Sequence, residues 1–137
     1  MRALIAAVLL AAAGAASGQV SLSIYGLSKH SDSPYCETNP GLGINYQITD
    51  DLRIGHGRFR NSKCRASNGT GLMYTPIKLG DWRFGVALLR LTGYNERPIF
   101  APLPVGAYDF SRRHAVDFFV AHKDAETVVG AAWRITF

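Results

Sequence analysis

The chain reads as all-β: an eight-stranded antiparallel barrel whose strands cross a membrane. Three observations predict this fold. First, in the closing stretch Val129, Ala131, Trp133, Ile135 and Phe137 share one face, while Val128, Gly130, Ala132, Arg134 and Thr136 share the other. A strand that is apolar on one side, small or polar on the other and ends on an aromatic suits a lipid-facing wall that closes against the first strand. Second, the segment from residue 19 to 137 divides into an even number of such runs, with no stretch of helical period. Third, the connections after the second, fourth and sixth runs are short, and those after the first, third and fifth are longer and more polar. Bacterial outer-membrane barrels pair short periplasmic turns with longer external loops in this way, so the sequence points to that membrane.

The N-terminus stands apart from this pattern. Met1-Arg2 is a basic start, residues 3–16 are an apolar run, and Ala16-Ser17-Gly18 offers small residues for cleavage before Gln19. The run is too short for the ~20 apolar residues of a spanning helix. Residues 1–18 therefore read as a signal peptide and residues 19–137 as one β-barrel domain.

The elements follow in order. Val20 to His30 alternates as the first strand, and a polar loop runs from Ser31 to Asn39. Gly41 to Ile48 forms the second strand and Thr49-Asp50-Asp51 a tight turn. The third strand, Leu52 to Ser62, fits least well, because Leu52 and Ile54 share their face with His56, Arg58 and Arg60. Arginine facing lipid at mid-bilayer costs roughly 2–4 kcal/mol, so either a bulge reverses the phase and turns Phe59 outward, or the upper residues lie at head-group level. A loop from Lys63 to Asn68 leads to the fourth strand, Gly69 to Ile77, and a turn at Leu79-Gly80-Asp81 leads to the fifth, which starts at Trp82. A proline-rich loop, Asn95 to Pro104, precedes the sixth strand, Val105 to Phe110. Ser111-Arg112-Arg113 turns into the seventh, Ala115 to His122, and residues 123–126 lead into the last.

Composition excludes several classes. A chain of 137 residues that is 47% hydrophobic and 11% aromatic is not disordered. The formal charge of +5, or +4 once Arg2 leaves with the signal peptide, is too diffuse for nucleic acid and suits anionic lipid head groups. No Cys/His spacing suggests a metal, and no cofactor is implied. An eight-stranded barrel holds side chains or one small ligand rather than a pore. With a periplasmic N-terminus, Lys29, His30, Arg60, Asn61 and Ser62 reach the external side, and Cys36 and Cys64 fall in adjacent external loops. Export to an oxidising compartment then favours a Cys36–Cys64 disulfide.

Four segments, taken in order, resemble the outer-membrane lipid A palmitoyltransferases, the PagP family. They are His30 on the first strand, Tyr35-Cys36-Glu37-Thr38-Asn39-Pro40-Gly41, Phe59-Arg60-Asn61-Ser62, and Pro102-Leu103-Pro104-Val105. The resemblance implies an enzyme that takes a palmitoyl chain from a phospholipid donor and transfers it to lipid A as acceptor, acting as a monomer. It puts His30, Asn61 and Ser62 in catalytic positions, with Asn61 standing where the family carries aspartate. An amide supports an imidazolium poorly, so Asn61→Asp is expected to raise activity, and Glu37 or Asp32 could supply the charge instead. The basic residues Arg58, Arg60, Lys63 and Arg65 suit contacts to lipid A phosphates. Because proline donates no ladder hydrogen bond, Pro98, Pro102 and Pro104, with Pro40 at the second strand, predict lateral gaps for lipid between strands five and six and beside strand two. The alternative reading is a non-catalytic barrel with a structural or surface-interaction role.

Overall fold

A computed structural model describes residues 18–31, 34–123 and 126–137, with Lys123 described by its backbone only. Residues 1–17, which hold most of the expected signal peptide, and Asp32 lie outside the described residues. Every regular element among them is a strand: β1 (Val20–His30), β2 (Thr38–Gln47), β3 (Leu52–Arg60), β4 (Ala66–Leu79), β5 (Trp82–Leu91), β6 (Ile99–Asp109), β7 (His114–Lys123) and β8 (Glu126–Thr136). Neighbours in sequence pair antiparallel, and β8 returns to β1 to close the barrel.

Alternation sorts the side chains between wall and interior. Ile24, Leu42, Ile44, Tyr46, Ile54, Leu72, Val86, Leu88, Val129 and Trp133 all lie exposed on the outside. Toward the short-turn end, Trp82 packs against Tyr108 in a tilted arrangement at 4.8 Å between ring centroids, and His114 lies 5.6 Å from Trp133. The interior at that end is ionic. Arg53 donates to Asp117 at 2.8 Å, and Arg134 reaches both Asp117 at 3.1 Å and Asp109 at 3.0 Å. Arg83 completes the chain with a 2.6 Å contact to Asp109. Below this network an open hollow of about 480 Å³ leads out past Gln19, Gln47 and Thr136.

At mid-height Tyr25 crosses the lumen. Its hydroxyl lies 2.5 Å from where a Cβ would sit on either Gly43 or Gly57, so only glycine admits the ring at both places. Phe59 packs against it with centroids 5.5 Å apart. These glycines therefore house an aromatic ring rather than an empty slot.

Two sequence expectations are corrected here. The stretch 99–104 is strand, not loop, because Pro102 and Pro104 alternate with inward-leaning Ala101 and Leu103, and proline's fixed φ is compatible with extended backbone. The expected gap between β5 and β6 is absent: their ladder runs without a shift from Trp82↔Tyr108 to Leu91↔Ile99. An unbroken ladder on that edge requires the missing proline N–H groups to point at β7. There the pairing extends only from Val105↔Phe119 to Asp109↔Ala115, so the opening lies between β6 and β7. Pro98 precedes β6 and joins no ladder.

In β3 no shift interrupts the pairing with β2 or β4. Phe59 points inward, while His56, Arg58 and Arg60 stand exposed on the outer wall. The phase is kept, not reversed by a bulge.

Asp117 is the shared anion of buried Arg53 and half-buried Arg134, so its removal takes a partner from both guanidinium groups and leaves Arg53 without a carboxylate. Asp117→Ala is expected to lower stability by about 3–5 kcal/mol, as loss of one member of a buried ion pair does. The midpoint and slope of denaturant unfolding in detergent check this; a shift under 1 kcal/mol on the order of surface pairs would mean water replaces the carboxylate.

Candidate functional site

The long-loop end of the barrel gathers most of the residues singled out in the sequence. A register shift between Tyr25 and Leu27 reverses the alternation of β1 against both of its neighbours. Without it Leu27 and Lys29 would turn inward; with it they are exposed, and Ser28 and His30 lie on the inner side. Gly26, in the middle of an otherwise regular run, is the sequence signal for this bulge.

His30 is buried at the rim, its side chain only 4% exposed. Its Nδ1 lies 2.7 Å from Oε1 of Glu126, the first residue of β8, and its Nε2 lies 3.4 Å from Ser28 Oγ. The ring stacks on Tyr35 at 4.8 Å and 21° between planes. Ser28 donates to Asn39 Oδ1 at 2.5 Å, and the Asn39 amide nitrogen donates to the carbonyls of Arg60 at 2.9 Å and Cys36 at 3.3 Å. Glu126, Ser28 and Asn39 were not singled out by sequence reasoning. Glu126 lies 96 residues from His30, and only barrel closure joins them.

The disulfide Cys36–Cys64 is present, with Cα atoms 5.5 Å apart. It ties the segment carrying Tyr35 to the turn carrying Ser62, and Cys36 N also donates to the Ser62 carbonyl at 2.8 Å. Glu37 accepts from Lys29 at 2.6 Å, and that hydrogen bond holds its carboxyl below the usual range. Glu37 does not reach the His30 ring; it accepts from the His30 backbone N–H.

Asn61 and Ser62 sit in a different local setting from His30. Asn61 is fully buried, and its side chain organises the 61–65 turn. Oδ1 accepts from the backbone of Lys63 at 2.9 Å and of Arg65 at 3.1 Å, while Nδ2 donates to the Gly93 carbonyl at 3.0 Å. Both ends of the amide are thus committed to loop backbone. Ser62 hydrogen-bonds Tyr94, whose phenol is pushed up by burial and partly drawn back by that bond.

The basic residues divide. Lys63 Nζ binds the Tyr94 carbonyl at 3.0 Å, and Arg65 is exposed on the loop. Arg60 donates to the Thr38 carbonyl at 3.0 and 3.2 Å, which stitches β2 to β3 above Gly41↔Phe59, where their ladder ends beside Pro40. Pro40 thus marks an interruption bridged by side chains. A shallow hollow of about 280 Å³ opens on this wall, lined by Pro40, Arg58, Phe59, Arg60, Cys64 and Ala66.

No known protein family matches the chain, and no curated protein matches it in sequence. The chemistry therefore has to be read from the arrangement itself: a buried imidazole in contact with a carboxylate, a second hydroxyl on the neighbouring loop, and guanidinium groups on the outer wall.

The bonds of Asn61 reverse one expectation. An aspartate there would set a carboxylate oxygen against the Gly93 carbonyl in place of a donor. Asn61→Asp is expected to cost about 1–3 kcal/mol, the usual penalty for an unmatched buried polar group, with no gain in activity. Thermal unfolding of the two proteins side by side checks this; an equal or higher midpoint for Asn61→Asp would show that the loop relaxes around the charge.

Proposed function

We propose that this chain is an outer-membrane acyltransferase that moves a palmitoyl-like chain from a phospholipid to lipid A, with His30 as its base. The observation that supports the reading is the placement of a buried, carboxylate-bound imidazole at the rim of a barrel whose outer wall is largely apolar. Lipid substrates lie at that wall, and the imidazole lies at the level of the loops.

The membrane part rests on four features. Strand lengths of 9 to 14 residues meet the ~9–11 that a tilted spanning strand needs. Closure leaves no unpaired sheet edge over most of the wall, which a hydrocarbon surround demands. The outer face is largely apolar, its arginines confined to the upper part of β3 and β5, and the cluster of Trp82, Tyr108, His114 and Trp133 has the character of an interfacial aromatic girdle. The arginine–aspartate network of the short-turn end is kept inside.

In the reaction, the base takes a proton from the attacking hydroxyl as its oxygen adds to the ester carbonyl, and donors stabilise the oxyanion that forms. Collapse of that intermediate breaks the donor's ester C–O bond, and the base returns its proton to the departing lysophospholipid oxygen. His30 supplies the base. Ser62 supplies a hydroxyl on the same rim, as nucleophile or as polariser of the lipid hydroxyl. Arg58, Arg60, Lys63 and Arg65 offer cationic contacts for phosphate, and the unpaired edge between β6 and β7 is a lateral way in for an acyl chain. A second reading, a non-catalytic barrel, is favoured by the position of Tyr25 across the lumen and by the commitment of Asn61 to its turn.

Mass spectrometry of lipid A from cells producing the parent or His30→Ala separates the two. Acyltransfer predicts an added acyl chain in the parent, reduced about 10²–10⁴-fold in His30→Ala, the usual worth of a general base. Both proteins should keep the slower or faster migration of the unboiled form on a detergent gel, which shows that the barrel still folds. Unaltered lipid A in cells carrying the folded parent would leave the non-catalytic barrel as the better account.

A further inference from the structure

We propose that Glu126 is the positioning residue of His30: it holds the ring proton on Nδ1 and so leaves Nε2 as the basic nitrogen. The catalytic part of this inference rests on the acyltransferase reading above; the tautomer part stands on geometry alone.

The contact is fixed from both strands. β1 and β8 pair up to His30↔Val128, and beyond that pair Ser31 N donates to the Thr127 carbonyl at 2.9 Å while Thr127 N donates to Ser31 Oγ at 2.8 Å. These bonds set the end of β1 against the start of β8, so Glu126 meets the ring without a flexible loop between them. The Glu126 side chain is 28% exposed and His30 4%, so the carboxylate keeps partial hydration while the ring is shielded. Tyr35, stacked on the ring, limits rotation of the ring plane.

The hydrogen bonds around the ring dictate where protons lie. A carboxylate only accepts, so Nδ1 must donate to Glu126 in the neutral ring. On the other side, the Asn39 amide nitrogen faces two backbone carbonyls, which fixes Oδ1 toward Ser28. Ser28 must therefore spend its hydroxyl proton on Asn39, and it turns a lone pair toward Nε2. In the neutral state Nε2 thus has no donor to occupy it and is free to take a proton from a substrate hydroxyl. Once protonated, it finds Ser28 Oγ as an acceptor while Nδ1–H stays on Glu126. Nδ1–H keeps its partner in both states, and Nε2 gains one only when protonated, so the same side chains favour uptake of the proton with no rearrangement.

The other charged groups near the ring do not do this. Glu37 is engaged by Lys29 and by the His30 backbone N–H. Asn61 is committed to loop backbone. Of the carboxylates among the described residues, Glu126 is the one that binds the ring.

The test compares the parent, Glu126→Leu and Glu126→Asp in detergent, each with its imidazole nitrogens labelled with ¹⁵N. In the parent the neutral His30 ring should show a protonated Nδ1 and an unprotonated Nε2. Glu126→Leu should lose that pattern and shift toward the Nε2–H form that free histidine prefers in water, and Glu126→Asp should retain it. In acyl transfer, Glu126→Leu should lower kcat by about 10²-fold or more with KM little changed, and Glu126→Asp should recover most of the rate. A ring pattern in Glu126→Leu identical to that of the parent would overturn the inference. So would a rate loss in Glu126→Leu confined to KM, or loss of all transfer in Ser28→Ala with an acyl group found on Ser28 of the parent. If the parent transfers no acyl chain, the acyltransferase reading falls, and the ring pattern still decides whether Glu126 sets the tautomer.

Discussion

Closure of β8 onto β1 is the constraint on which the rest depends. Eight strands in an unclosed sheet would leave two rows of backbone donors and acceptors unpaired, and in a lipid surround each would cost several kcal/mol, on the order of an isolated polar group in hydrocarbon. Closure removes both edges at once. Its side effect is chemical. The seam from Ser21↔Thr136 to His30↔Val128 carries Arg134 into the ionic interior at one end and brings Glu126 against His30 at the other. The requirement that seals the fold therefore also assembles the imidazole–carboxylate pair.

Inside the seal, the lumen divides by height. Arginines and aspartates fill the short-turn end, where three cations share two anions and every guanidinium finds an acceptor. Tyr25 and Phe59 fill the middle against glycines. Above them the bulge in β1 resets the phase, so that Ser28 and His30 face inward where continued alternation would have placed Leu27 and Lys29. One extra residue thus decides whether the histidine meets the interior or the outer wall. The disulfide and the Cys36–Ser62 backbone bond then hold the loop that stacks Tyr35 on that histidine.

Much of this was legible in the sequence, and the limits have physical causes. The period-2 pattern placed β1 from Val20 to His30 and β8 to within a residue or two, because one face of each strand is apolar and the other is not. Adjacent loops placed Cys36 beside Cys64. The prolines of β6 masked its first half, since proline resembles a loop signal until the partner on each edge is known; one edge tolerates it and the other does not. Asn61 entered the candidate site through the resemblance of Phe59-Arg60-Asn61-Ser62 to a family segment that carries aspartate there; its three bonds to backbone were not legible, because they exist only once the 61–65 turn and Gly93 have come together. Glu126 carried no local signal at all: its role follows from a pairing across the full length of the chain.

The charged residues of the outer wall add a constraint on how the barrel sits in the proposed membrane. On β3 only Leu52 and Ile54 face outward before His56, Arg58 and Arg60, and Arg90 on β5 lies level with Thr70 and His56 through the β3–β4–β5 pairing. On β8 the outward series runs through Ile135, Trp133, Ala131 and Val129 with no charge. Arginine on the lipid face costs about 2–4 kcal/mol at the midplane and near zero to 1 at the interface, so these guanidinium groups must lie at head-group level. The apolar band is therefore short on the β3 side and tall on the β8 side. A flat bilayer meets both only if the barrel tilts or the loop-side head groups dip toward β3. Either adjustment brings polar head groups down to the hollow beside Pro40, Arg58 and Arg60, where the β2–β3 ladder has already ended. The same guanidinium placement that would be a defect in mid-bilayer becomes, at that depth, the feature that fixes which flank of the rim meets phosphate.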